Sequence, residues 1–213
     1  MPREREELIR PSKFREKGKV FVLAYEGNNT EPQYYEALKE KLRYKEFTLH
    51  IESLKREKTD TNSSPKHVFN KLKAKKSEYN FKESDEFWMV IDKDNWVLDE
   101  WVTKCQNEKN LHIALSNPSF EIWLLLHIKD INEYSSDELE KIFKNEKITK
   151  RKRHLEDILS NILGYKYGKS TLKTEDFIPV INKAIEQAEA LDVNDVYTNL
   201  GSHNYILVNK LLE

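Results

Sequence analysis

Apolar residues along this chain fall into short dense runs, separated by segments in which they recur every third or fourth position. Lys19 to Tyr25 (KVFVLAY) is such a run, and it stops abruptly at Glu26-Gly27-Asn28-Asn29, as a buried strand feeding a turn does. Pro32 then opens PQYYEALKEKLRYK, where Tyr35, Leu38 and Leu42 recur at helical spacing and Thr30 or Glu31 stands at the start. Phe47 to Leu54 (FTLHIESL) alternates apolar and polar, the pattern of a half-exposed strand, and Lys55 to Ser64 reads as a loop. Pro65 to Tyr79 returns to helical spacing. Phe87 to Ile91 (FWMVI) is a second fully apolar strand, closed by Asp92-Lys93-Asp94-Asn95.

Trp96 to Glu108 has a helical pattern, and Leu111 to Leu115 (LHIAL) forms a fourth strand ending at Ser116-Asn117-Pro118. Pro118 at the first helical position, with Ser116 or Asn117 as cap, predicts a helix through SFEIWLLLHIK. Its run Ile122 to Leu126 is too short to span a bilayer and reads as the middle of a buried helix. Strands alternating with helices of this length predict an α/β fold, with a parallel sheet of about four strands, right-handed crossovers and helices on both faces. From Tyr134 onward no strand of comparable strength is predicted; Ser135 to Lys144, Lys150 to Leu163, Thr174 to Leu191 and Asn204 to Leu212 all read as helices. The expected division is a charged N-terminal arm (1–18), a sheet domain (19–133) and a helical C-terminal region packed on it (134–213).

Composition narrows the class. A chain of 213 residues with 38% hydrophobic content can bury one compact core with an appendage. Charged residues at 34% and only five glycines suit a helix-rich protein rather than a β-sandwich. The formal net charge of −1 excludes little, but basic residues bunch at Pro2 to Lys19, Lys71 to Lys76 and Lys147 to His154. The single cysteine, Cys105, forbids an intramolecular disulfide or a Cys-rich zinc site and fits a reducing compartment. No apolar leader or membrane span is visible, so a cytoplasmic location without a membrane partner is expected.

The candidate chemistry is acidic. In an open parallel sheet, ligands collect beyond the carboxyl ends of the strands. Glu26 follows the first strand, and Asp92 and Asp94 follow the third, with an alternation that can send both aspartates the same way while Lys93 turns aside. Converging carboxylates repel one another and call for a cation. Mg²⁺ suits them because it prefers hard oxygen ligands and shares its coordination with phosphate, and two such ions support phosphodiester hydrolysis. Each acid also has a simpler reading, as a solvated loop residue or as part of an Asx turn. An EF-hand does not fit, because Val97 and Thr103 stand where its glycine and final glutamate belong.

Three blocks, Glu26-Gly-Asn-Asn-Thr-Glu31-Pro, Asp92-Lys-Asp94 and Asn117-Pro-Ser-Phe-Glu121-Ile-Trp-Leu-Leu-Leu-His127, resemble the RloB family of bacterial abortive-infection proteins, a branch of the Toprim-like nucleases. The resemblance runs roughly from Lys19 to Leu212 and is loosest at Leu163-Gly-Tyr-Lys166-Tyr-Gly-Lys169. It implies a Toprim-type sheet, cleavage of DNA or RNA dependent on Mg²⁺ or Mn²⁺, and action beside a partner ATPase in antiviral defence. Glu26 would match the Toprim glutamate, as metal ligand or general acid/base, and Asp92 and Asp94 the Asp-x-Asp pair.

Second-rank candidates surround these. Glu31 can support a second metal or simply face a helix dipole. Glu121, in the first turn after the fourth strand, can face metal or substrate; Trp123 reads as core and His127 as a satisfied core histidine. Helix-start amides near Asn117 can hold a phosphate. Lys150, Arg151, Lys152 and Arg153 form a run able to contact nucleic-acid backbone, or a solvated helix face. Lys166 and Lys169 would extend that surface, with Tyr165 and Tyr167 stacking on bases. Gly164 to Thr171 is not a P-loop, because three residues rather than four separate its first glycine from Gly-Lys-Ser and no buried strand precedes it. The sequence shows neither zinc spacing nor an acyl-transfer pattern. Besides a nuclease, a non-catalytic subunit regulating an ATPase and a primase-like phosphoryl transferase fit the same acids. The sequence leaves a homo-oligomer open.

Overall fold

The structure, a computed structural model, describes residues 18–45, 49–54, 64–78, 81–94 and 96–213. The expected N-terminal arm up to residue 17 and most of the expected 55–64 loop lie outside these.

The chain order is β1 (Lys19–Tyr25), α1 (Thr30–Lys41), β2 (Leu49–Leu54), α2 (Pro65–Glu78), β3 (Glu86–Asp92), α3 (Asp99–Gln106), β4 (Leu111–Asn117), α4 (Phe120–Ile128), α5 (Ser136–Lys144), β5 (Lys147–Thr149), β6 (Lys152–Arg153), α6 (His154–Leu163), α7 (Ile181–Asp192), β7 (Gly201–Ser202) and α8 (Asn204–Leu212). The α/β fold expected from the apolar runs is present. Its five-stranded sheet has the order β2-β1-β3-β4-β7, and the first four strands are parallel.

β1 and β3 carry unbroken apolar runs, Val20 to Tyr25 and Phe87 to Ile91, because each is hydrogen-bonded on both sides and covered on both faces. Phe21, Leu23 and Tyr25 face one core, shared with α1, α4, α6, α7 and α8, while Val22 and Ala24 face a second, shared with α2 and α3. β2, at the edge, buries Ile51 alone and keeps the alternation of a half-exposed strand. Helix α4 has no polar face, and every residue from Phe120 to His127 is buried, so it is the central helix around which α6 and α7 pack. Each of its buried leucines stabilises the fold by roughly 1.5–3 kcal/mol.

Three expectations are corrected. Ser116 and Asn117 do not cap α4: they end β4, the Asn117–Pro118 peptide is cis, and Ser119 occupies the N-cap position. The basic run does not begin a helix, since Lys152 and Arg153 pair antiparallel with β5 and α6 starts only at His154. The helix expected from Thr174 is broken into two 3₁₀ turns, with Pro179 in the second, before α7 begins at Ile181.

The C-terminal region also supplies a strand. Ser202 pairs with Ser116 and Gly201 with Asn117, antiparallel to β4. The join is fixed by Asn204, whose amide donates to the hydroxyls of Ser116 and Ser202 at 2.8 Å each and whose carbonyl accepts from Tyr35 at 2.6 Å.

Candidate functional site

Register places the acids. Tyr25 pairs with Val90, and the next residue, Glu26, donates its N–H to the Val90 carbonyl at 3.0 Å, while Asp92 pairs with Ser116. The carboxyl ends of β1, β3 and β4 therefore finish at one sheet edge. There a cleft of about 220 Å³ is lined by Glu26, Glu31, Asp92, Asp94, Glu121 and Lys169. The five acids predicted from sequence thus share one cleft.

The Glu26 carboxylate is almost fully buried and accepts from the Asp92 N–H at 3.2 Å and from the Trp96 indole at 3.0 Å. Burial pushes its pKa up to about 7 against the pull of those hydrogen bonds, with the charges of Asp94 and Glu31 pushing the same way as burial. Glu31, in the first turn of α1, is also raised to about 7. Burial dominates; its own and the Gly27 backbone N–H and the Lys169 charge oppose it, and Glu121 adds to it. Asp92 sits at the end of β3 and is held well above the carboxylate range by burial and then by Glu31, Glu121 and Glu26. Asp94 is exposed in a left-handed turn (φ 35°), a conformation that its short polar side chain tolerates.

Glu121 is the exception. It is as buried as its neighbours, yet its pKa lies below the usual range, because the Lys169 ammonium at 3.0 Å and the Ser119 hydroxyl at 2.7 Å outweigh burial. Tyr167 adds a third hydrogen bond to it, at 3.2 Å. Lys169 is correspondingly raised: burial alone would lower it, but Glu121 prevails. The segment carrying Lys169 is tied to α1, where Gln33 donates to the Lys169 carbonyl at 2.8 Å and accepts from the Leu172 N–H at 3.1 Å.

The predicted basic contacts scatter more widely. Lys169 is in the cleft, whereas Lys166 is exposed outside it. Lys150 and Arg151 occupy the exposed turn between β5 and β6; Lys152 pairs with Asp157 at 2.7 Å, and Arg153 donates to the Asn145 carbonyl at 3.3 Å. Asn117 is buried, its amide donating to the Val196 carbonyl at 2.9 Å. Tyr167, expected on bases, is buried against Glu121, and the Tyr165 hydroxyl is given to Asp176. His127 is a satisfied core histidine: Nδ1 donates to the Trp123 carbonyl at 2.7 Å and Nε2 accepts from Tyr34 at 3.0 Å.

Sequence reasoning missed Trp96, Ser119 and Gly27. Trp96 meets Glu26 across 70 residues of chain, which no periodicity reports. For Gly27 a signal existed, a glycine directly after a strand-ending acid, which marks close backbone approach.

The donor set is all hard oxygen with one ammonium, the chemistry that suits Mg²⁺ or Mn²⁺. These carboxylates do not form a ready coordination shell. Among the described residues no group of three or more His, Cys, Asp or Glu side chains is arranged to hold a metal ion. The Glu26 oxygens are turned instead to the Asp92 amide and the Trp96 indole.

Fold and site define an α/β protein with an acidic cleft at the carboxyl edge of a mostly parallel sheet. The chain belongs to the RloB-like protein family, whose model matches residues 21–211. No curated protein and no solved structure matches it. Among the described residues no helix is long and apolar enough to cross a membrane.

Proposed function

We propose that the protein is a Toprim-like nuclease that hydrolyses phosphodiester bonds of DNA or RNA with Mg²⁺ or Mn²⁺. The observation that carries this reading is the gathering of five carboxylates and one lysine in a single cleft at the sheet edge. Glu26, Asp92 and Asp94 would hold the ion, with Glu31 and Glu121 supporting it. When bound, the ion would lower the pKa of a water and offset charge on the phosphate. Glu26 would act either as a ligand of the ion or, from beside it, as the acceptor of the attacking water's proton. Lys169, its pKa raised by Glu121, is a fixed charge for a phosphate oxygen rather than a proton donor. Action in the cytoplasm beside a partner ATPase in anti-phage defence belongs to the same proposal and rests on the family likeness. The test is cleavage of labelled DNA and RNA with Mg²⁺, Mn²⁺ or EDTA by wild type and Asp92→Asn. Activity with metal only, abolished in a variant that still melts cooperatively, is expected; equal cleavage by the variant, or cleavage in EDTA, rejects the site.

A second reading, a non-catalytic subunit of an ATPase complex, is favoured by one observation: the Glu26 and Glu121 carboxylates are already engaged by the Asp92 N–H, the Trp96 indole, Ser119 and Lys169. Absence of Mn²⁺ binding in calorimetry, together with a stable ATPase complex, would establish it.

A further inference from the structure

Beside the acidic cleft, and sharing Asp94 with it, lies a groove of about 490 Å³ whose charge has the opposite sign. Lys93, Lys144 and Arg153 line it against the single carboxylate of Asp94, and Phe143 and Tyr197 complete its walls. Four separate parts of the chain deliver these residues: the turn after β3, the last turn of α5, β6, and the segment between α7 and β7. Neither Lys93 nor Arg153 has a carboxylate partner among the described residues. Lys93 gives its ammonium to the Trp96 carbonyl and Arg153 one N–H to the Asn145 carbonyl, and a carbonyl does not neutralise a cation. Lys144 pairs with Glu140 at 2.6 Å on an exposed helix face, a contact that a phosphate displaces at little cost. Phe143 leaves 38% of its surface open, and the β5–β6 hairpin that carries Arg153 exposes Ile148, Lys150 and Arg151.

We propose that this groove binds a single-stranded stretch of nucleic acid leading into the acidic cleft, its phosphates against Lys93, Arg153 and Lys144 and a base stacked on Phe143. The inference rests on the nuclease reading for its direction. Charge alone would suit any polyanion. An open aromatic ring within the basic wall favours unpaired bases, because a duplex keeps its base faces stacked and out of reach of such a ring. The opposed charges give each region its own role, since the basic groove can hold the backbone without a metal whereas the acidic cleft repels phosphate without one.

The test is fluorescence anisotropy in EDTA, with labelled oligothymidine, oligouridine and a DNA duplex as probes. Wild type is expected to bind the single strands. Phe143→Ala and Arg153→Gln should each weaken that binding roughly tenfold, and Arg153→Gln should reduce the slope of log affinity against log salt by about one. Lys144→Gln, on an exposed face, provides the same reading should Arg153→Gln melt early. No single-strand binding by wild type, binding unchanged in the variants, or a duplex bound as tightly and indifferent to Phe143 would overturn the groove. Because no metal is present, the two readings fail separately. Groove-dependent binding without cleavage under any metal removes the nuclease and keeps the groove, whereas metal-dependent cleavage with binding indifferent to these residues does the reverse.

Discussion

Glu31 occupies the space that a side chain at residue 27 would need: a Cβ on Gly27 would stand 2.4 Å from both carboxylate oxygens of Glu31. The glycine after β1 is thus what lets the α1 acid fold back over the end of the strand and join Glu26 in the cleft.

Gly27→Ala should therefore uncouple site from fold. The obstructing atoms end a rotatable side chain, so stability should change by about 1 kcal/mol or less. Glu31, however, must leave its position, and misplacement of that size reduces turnover on the order of 100-fold. A melting curve and a metal-dependent cleavage assay on one preparation check both halves; full activity would show that the position of Glu31 is immaterial.

Lys169→Met should leave Glu121 as a buried carboxylate without its cation. Removing one partner of a buried pair costs about 3–5 kcal/mol, but half of the lysine side chain is exposed, so solvent screening reduces the expected loss to about 2 kcal/mol. Adding Glu121→Gln removes the stranded charge and should restore most of the loss. Denaturant unfolding of the two single variants and the double variant measures this; additive losses would mean that the pair is not interacting.

Much of this was legible in the sequence, for physical reasons that also mark where legibility ends. β1, β3 and β4 are buried on both faces and so leave unbroken apolar runs, and the parallel topology then brings Glu26, Asp92 and Glu121 to one edge. β7 left no such trace. It is two residues long and is held by Asn204 and by Gly201, where a Cβ would meet Val196 at 2.8 Å. The basic run misled because KRKRH has no β pattern. What makes it a hairpin is Asn145, left-handed at φ 41°, which ends α5 and accepts the Leu155 N–H at 3.0 Å, acting from a distance as a cap for α6. Nor could spacing place Tyr167 on Glu121, 46 residues away.

Asn204→Ala should be among the more damaging single changes. It leaves the Tyr35 hydroxyl without its acceptor and takes one donor each from Ser116 and Ser202, which then keep each other at 3.2 Å across the seam where β7 joins the sheet. Unsatisfied buried polar groups cost about 1–3 kcal/mol each, and with partial relaxation a total of about 3 kcal/mol is expected. Hydrogen exchange should show the loss first at β7 and α8; unchanged protection there would mean that the network does not secure the strand.

His127 should make the protein acid-sensitive in a window that substitution can isolate. Burial lowers its pKa from 6.5 to about 4, opposed only by the Trp123 carbonyl, and the Tyr34 hydroxyl occupies Nε2 as donor, which suits the neutral ring. Between those two values the unfolded chain takes up a proton that the folded one refuses. The contribution is therefore fully present above pH 6.5, falls as pH drops through the window, and levels off below about 4, a total of roughly 3 kcal/mol. Glu26, Glu31 and Asp92 act with the opposite sign. Their folded pKa values are raised, so the folded state takes up protons first and gains stability as pH falls. The wild-type profile is thus a difference of two effects, and only comparison with His127→Gln separates them. Denaturant unfolding at pH 7 and pH 5 should show the variant losing about 2 kcal/mol less than wild type on acidification. Equal losses would mean that the imidazole has the same pKa in the folded and unfolded chain, so that burial does not hold the ring neutral.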